Sequence, residues 1–145
     1  MRALLLSRKL VAKERNIEFV LDEDSNLYCE HDIVESEDIV TILGNLIENA
    51  YEACVENEIK EKKVEVIIRE DEIKINILVI DNGIPLKLNE SSIFIEGISS
   101  KGNSRGTGLY LVKNRVDLYE GTITISEYND KKAFNITLFK GGEIK

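Results

Sequence analysis

Histidine is nearly missing from this 145-residue sequence: His31 is the only one, so any metal site built on two imidazoles is excluded. Cysteine is almost as scarce. Cys29 and Cys54 stand at no metal-ligand spacing, and two reduced thiols in a reducing compartment account for them. No apolar run approaches the length of a transmembrane helix, and the first residues do not read as a secretory signal. Basic charge is outnumbered: 19 Lys and Arg against 27 Asp and Glu leave a net charge of −8. That balance excludes a general nucleic-acid or anionic-membrane surface. It does not exclude an anionic nucleotide held by local cations and backbone N–H groups. Internal repeats, low-complexity tracts and domain linkers are all lacking. So is the Gly-x4-Gly-Lys-Ser/Thr phosphate loop.

What is present describes one globular domain, 43% hydrophobic and 32% charged, long enough for a single substantial core. Met1 to about Arg15 reads as a helix, with Ala3, Leu4, Leu5, Leu6, Leu10 and Val11 set against Arg2, Arg8, Lys9 and Lys13. It has no convincing N-cap, as though the chain enters partway along a longer helix. Ile17 to Leu21 reads as a strand, followed by an acidic loop and a short extended piece over Tyr28 to Val34. A long helix is expected from Ser36, a suitable N-cap with Glu37 and Asp38 in its first turn, to about Asn57. Val64 to Arg69 and Ile73 to Ile80 are β-branched and largely alternating. The short connection between them predicts an antiparallel hairpin. The second of these ends in a solid apolar stretch, as a central strand would. Leu109 to Tyr119 reads as a helix, and Gly121 to Glu127 with Lys132 to Phe139 as a closing antiparallel pair.

The long helix carries the first chemical signal. Ile39, Ile42, Leu43, Leu46, Ile47, Ala50 and Cys54 recur at helical spacing and make a core-facing stripe. Asn45, Asn49 and Glu52 follow a different face at i, i+4 and i+7. Amide oxygens beside carboxylates are hard ligands of the kind that suit a Mg²⁺ ion sharing phosphate and water. Taken alone, the same stripe is more readily an ordinary solvated face that carries two asparagines. A second signal is Asp81-Asn82-Gly83 after a buried strand. The carboxylate there can accept from an exocyclic amino group of a base, while the glycine lets the ring lie on the backbone; by itself the motif reads more readily as an ordinary Asp-Asn-Gly turn. The third is Gly102-Asn-Ser-Arg-Gly106-Thr-Gly108-Leu109, which opens a helix. Its backbone N–H groups, the helix N-terminus, Lys101 and Arg105 together favour phosphate, although such a stretch alone also fits a plain flexible loop and helix start.

In this order the three signals resemble the ATP-binding fold shared by gyrase, Hsp90, MutL and histidine kinases. Within it, the chain is similar to the catalytic and ATP-binding domain of two-component sensor histidine kinases of the citrate/C4-dicarboxylate type. Thr41 to Ala50 resembles that family's N box, Val79 to Pro85 its G1 box, Ser92 to Gly102 its F box and lid, and Arg105 to Val112 its G2 box. The resemblance implies an α+β two-layer sandwich: a mixed, mainly antiparallel sheet of about five strands, covered on one face by about three helices. It implies two segments, residues 1–15 as the end of a dimerisation and phosphoacceptor hairpin helix and residues 16–145 as the ATP-binding domain.

The resemblance also implies roles. Asn49 would ligate Mg²⁺, with Asn45 supporting the metal or phosphate side. Asp81 would bind the adenine amino group, with Gly83 beside the ring. Phe94 would anchor the lid. Lys101, Gly102, Arg105, Gly106, Thr107, Gly108 and Leu109 would cradle the phosphates. Glu48 would either polarise the attacking imidazole or support Asn49 and the metal. Hydrolytic relatives carry a glutamate general base where this chain has Asn45, which cannot accept a proton at neutral pH. The expected nucleophile is therefore a histidine and not water. Many histidine kinases have a basic residue at the position of Glu52, so here the phosphate charge falls to Mg²⁺, Lys101, Arg105 and the helix N-terminus.

His31-Asp32 mimics a phosphoacceptor dipeptide, yet lies in an acidic extended segment and is read as a surface residue. The expected partners are ATP, a histidine hairpin of the same protein and a downstream response regulator, with no nucleic acid. The expected setting is the cytoplasmic domain of a membrane-anchored sensor, reaching the membrane only through other regions of it. The fragment is not expected to autophosphorylate by itself. Two alternatives stay open: an anti-sigma-factor-like serine kinase, and a non-catalytic, nucleotide-dependent binding module of the same fold.

Overall fold

The computed structural model describes residues 2–22, 36–56, 61–84, 108–128 and 130–140. These form α1 (Arg2–Glu14), β1 (Ile17–Leu21), α2 (Ser36–Glu56), β2 (Lys62–Glu70), β3 (Lys74–Asp81), α3 (Gly108–Leu118), β4 (Thr122–Tyr128) and β5 (Lys131–Phe139). Every helix and strand expected among the described residues is present, with ends displaced by one or two residues. The expected extended piece at 28–34, with Cys29 and His31, lies outside the described residues.

The five strands form one sheet in the order β1-β2-β3-β5-β4. β1 runs parallel to β2, and α2 supplies the crossover that a parallel pair requires. The remaining pairs are antiparallel, so the sheet is mixed and mainly antiparallel, as expected. β3 is central. β5 inserts beside it and leaves β4 at the edge, an order that the hairpin pattern did not reveal.

Period-two alternation explains the core. Ile75, Ile77 and Val79 of β3 point to the helix side, opposite Leu138, Ile136 and Phe134 of β5. Val64, Val66 and Ile68 of β2 share that face. Against it α2 packs the stripe read from the sequence, Ile39, Ile42, Leu43, Leu46, Ile47, Ala50 and Cys54, all buried. Val112 and Val116 of α3 complete the layer. α1 is less committed: Ala12 is buried and Leu4, Leu5 and Val11 pack on the core margin, but Leu6 and Leu10 are 60% and 66% exposed.

Continuing the alternation carries polar residues onto the same face. Asp81 follows Val79 and lies opposite Lys132, while Glu70 follows Ile68 on β2; all three are buried. Each is paired. Lys132 Nζ lies 3.6 Å from Asp81 Oδ1, and Lys140 Nζ lies 2.8 Å from Glu70 Oε2. An ion pair thus closes the apolar face at either end, which is how buried charge becomes tolerable.

Candidate functional site

Described residues of three sequence motifs meet along α2. Near its middle, Asn45 donates from Nδ2 to the Thr41 carbonyl at 2.7 Å. That bond turns its amide oxygen toward α3, where a Cβ on Gly108 would stand 3.1 Å from Asn45 Oδ1. Gly108 is the first residue of α3, so the asparagine lies beside a helix N-terminus and its partial positive charge. The two helices are held antiparallel by Asp38, which pairs with Arg115 at 3.0 Å and accepts from the Tyr119 hydroxyl. Leu109 packs against the core margin and fixes the first turn of α3.

Farther along α2, the turn after β3 presses on the helix backbone. A Cβ on Gly83 would stand 2.4 Å from the Ala53 carbonyl carbon and 2.6 Å from the Cys54 nitrogen. Only glycine fits this approach. The Ile84 N–H donates to the Ala53 carbonyl at 3.1 Å, and the Gly83 N–H donates to Asp81 Oδ1 at 2.9 Å. From Asn45 to Ala53 is eight residues of one helix, about 12 Å of axis. Asn49 lies between them, half-buried.

Sequence reasoning gave no role to two residues that hold this turn, Asn82 within it and Lys132 of β5. Asn82 accepts from the Lys63 N–H at 2.8 Å and donates to the Glu61 carbonyl at 2.7 Å, locking the turn to the start of β2. Lys132 pairs with Asp81 and also donates to the Ile84 carbonyl at 3.1 Å. The signal for Lys132 was available, since stepping back by two along β5 from Leu138, Ile136 and Phe134 reaches it. Cys54 lies under the same turn, its Sγ 3.7 Å from Asn82 Oδ1. Burial pushes its thiol up to about 11, with the negative charge of Asp81 acting in the same direction.

Glu48 faces elsewhere. Its carboxylate meets Arg15 Nη1 at 3.1 Å and Arg8 Nη1 at 3.7 Å, both from the α1 segment. Tyr51 strengthens that junction by donating to the Arg8 carbonyl at 2.7 Å. Of the remaining candidate residues, Phe94, Lys101, Gly102, Arg105, Gly106 and Thr107 lie outside the described residues.

Residues 34–139 match the family described as the GHKL domain. The chain belongs to this family. Among curated relatives of this GHKL domain, the probable C4-dicarboxylate sensor kinase of Halalkalibacterium halodurans is 34% identical over 140 residues, covering 94% of this chain and 26% of that protein. Sensor protein CitS of Bacillus subtilis is 34% identical over 125 residues, covering 86% of this chain and 23% of that protein. The chain therefore spans about a quarter of the length of these relatives. The nucleotide-free catalytic domain of histidine kinase ThkA superposes with a TM-score of 0.76 at 24% identity, over 96% of this chain and 90% of that one. Full-length ShkA, solved in complex with AMPPNP, gives 0.73 at 20% identity, over 97% of this chain and 29% of that one. At these identities the structural likeness establishes the fold: an α+β sandwich of the histidine kinase catalytic-domain type.

Proposed function

We propose that this GHKL domain binds ATP with Mg²⁺ and is the catalytic domain of a sensor histidine kinase. In this reading it transfers the γ-phosphoryl group to a histidine of a helical hairpin, other than His31, and serves two-component signalling. The observation that carries it is the single helix α2, which touches the Asp81–Gly83 turn at one end of the site and the N-terminus of α3 at the other. That span suits an extended nucleoside triphosphate.

The donor chemistry fits the ligand. Asp81 is an anchored acceptor, its Oδ1 holding the Gly83 N–H, and it suits the adenine amino group. Asn49 offers one neutral oxygen, the donor expected for Mg²⁺ that takes its other ligands from phosphate and water. Held there, the ion would supply positive charge to offset that of the phosphoryl group being transferred. The chain's own part is positioning. Gly108 and Leu109 present the α3 N-terminus to phosphate, and Lys101, Gly102, Arg105, Gly106 and Thr107 would join them. Phe94 would anchor the lid that the family resemblance implies. Asn45 directs an amide into the phosphate side and has no basic atom to activate water, which favours a histidine acceptor over hydrolysis. Residues 1–15 would continue the hairpin helix, and the response regulator would be the downstream acceptor. No helix among the described residues is long and apolar enough to cross a membrane; the whole sensor would be membrane-anchored, with this domain on the cytoplasmic side.

Titration of the chain with ATP, with and without Mg²⁺, tests this reading when paired with Asn49→Ala and a separately supplied histidine hairpin. Mg²⁺-dependent binding that Asn49→Ala weakens at least tenfold, and labelled phosphate on the hairpin histidine, are expected. Equal binding by the variant removes Asn49 from the metal. Absence of phosphohistidine with ATP bound defeats the kinase reading.

A further inference from the structure

The two ion pairs that close the core face differ in their surroundings. Glu70–Lys140 lies at the end remote from the α2 contacts, and its lysine also donates to the Asp71 carbonyl. Asp81–Lys132 lies at the site end, with side chains only 1% and 4% exposed. Lysine is almost never buried this deeply without a partner. Among the described residues it has two: Asp81 Oδ1 at 3.6 Å and the Ile84 carbonyl at 3.1 Å. Asp81 Oδ1 in turn holds the Gly83 N–H. The ammonium therefore closes a ring through both sides of the Asp-Asn-Gly turn. A buried ion pair is a weak source of stability compared with apolar residues of similar volume, so the pair calls for a reason other than stability.

We infer that Lys132 is the positioning residue for Asp81 in base recognition, keeping the carboxylate ionised and aimed by binding it and the outgoing Ile84 carbonyl together. This rests on the adenine reading of Asp81 given above. Without the ammonium, a carboxylate in this buried setting takes up a proton or turns toward another donor. Either change spoils an acceptor that a 6-amino group would meet.

The test compares ATP with purine riboside triphosphate, which lacks the 6-amino group, each with Mg²⁺. The proteins are the full chain, Lys132→Met, Lys132→Gln and Lys140→Met. The unaltered chain should prefer ATP on the order of 10- to 100-fold, as a hydrogen bond to a charged acceptor warrants. Lys132→Met should lose most of this preference while still binding both nucleotides through their phosphates. Lys132→Gln keeps a donor for Ile84 without the charge, and should lose it too, which preserves the test if the Met variant fails to fold. Lys140→Met should keep the preference. Wild-type preference in both Lys132 variants overturns the inference alone. No preference in the unaltered chain overturns the adenine reading and the inference with it.

Discussion

Gly83 rests on the backbone of Ala53 with no room for a side chain between them: a Cβ would come within 2.4 Å of the Ala53 carbonyl carbon. The sequence reading assigned this glycine to a base lying on the backbone. The structure supplies a packing reason as well, since Gly83 lets the turn after β3 bond to α2. The obstructing atoms are main chain, so neither side can yield by changing a rotamer. Gly83→Ala should therefore destabilise the fold by about 3 kcal/mol or more, lowering the melting temperature by roughly 10 °C. Thermal unfolding checks this. A variant that melts within a degree or two of the parent would contradict the close packing.

Gly108→Ala should behave differently. Its Cβ would meet the end of the Asn45 side chain, not main chain, and alanine is otherwise the better helix residue. Stability should change by less than about 1 kcal/mol. Displacing the Asn45 amide from the α3 N-terminus should weaken ATP binding at least several-fold. Denaturant unfolding and nucleotide titration on the same protein separate the two effects.

Glu48 is directed to Arg15 and Arg8, although Asn49 is its neighbour in sequence. Glu48→Gln should leave Mg²⁺-dependent ATP affinity nearly unchanged. All three side chains are about one-third exposed, and such pairs contribute less than about 1 kcal/mol. A double-mutant cycle on Arg15 and Glu48 should give a coupling in that range by urea unfolding. If transfer to a supplied hairpin falls in Glu48→Gln while affinity holds, the carboxylate acts on the acceptor side. A large loss of Mg²⁺-dependent affinity would instead put it in support of Asn49.

Cys54 gives a pH prediction. Its thiol is raised from an ordinary value near 9 to about 11, so the folded state retains a proton that the unfolded chain releases first. Stability from this group is complete below pH 9 and declines as pH rises from about 9 to about 11. Cys54→Ala should flatten that part of the profile. Melting temperatures at pH 8 and pH 10.5 for both proteins provide the comparison, and equal declines would count against it.

Local pattern made much of the molecule readable. The helical period marked the buried stripe of α2 because burial there depends on which face a residue occupies, and the two-residue period marked the strands for the same reason. Asn45, Asp81 and Gly108 were legible only through the order of their motifs, since each taken alone also fits an ordinary solvated face, turn or helix start. Neighbours were harder. That β5, not β4, lies against β3 depends on long-range pairing, which no segment encodes alone. The direction of Glu48 toward α1 depends on where that helix packs.

The sequence by itself determined the element types, the core-facing stripe of α2 and the family, because these follow from side-chain periodicity and motif order. Only the tertiary structure decided that Gly83 answers to Ala53, that Asn45 answers to Gly108, and that Asp81 is held by Lys132. Each is a contact between residues distant along the chain. Distances of a few ångströms set its chemistry, and only the packed sheet and helices bring those atoms together.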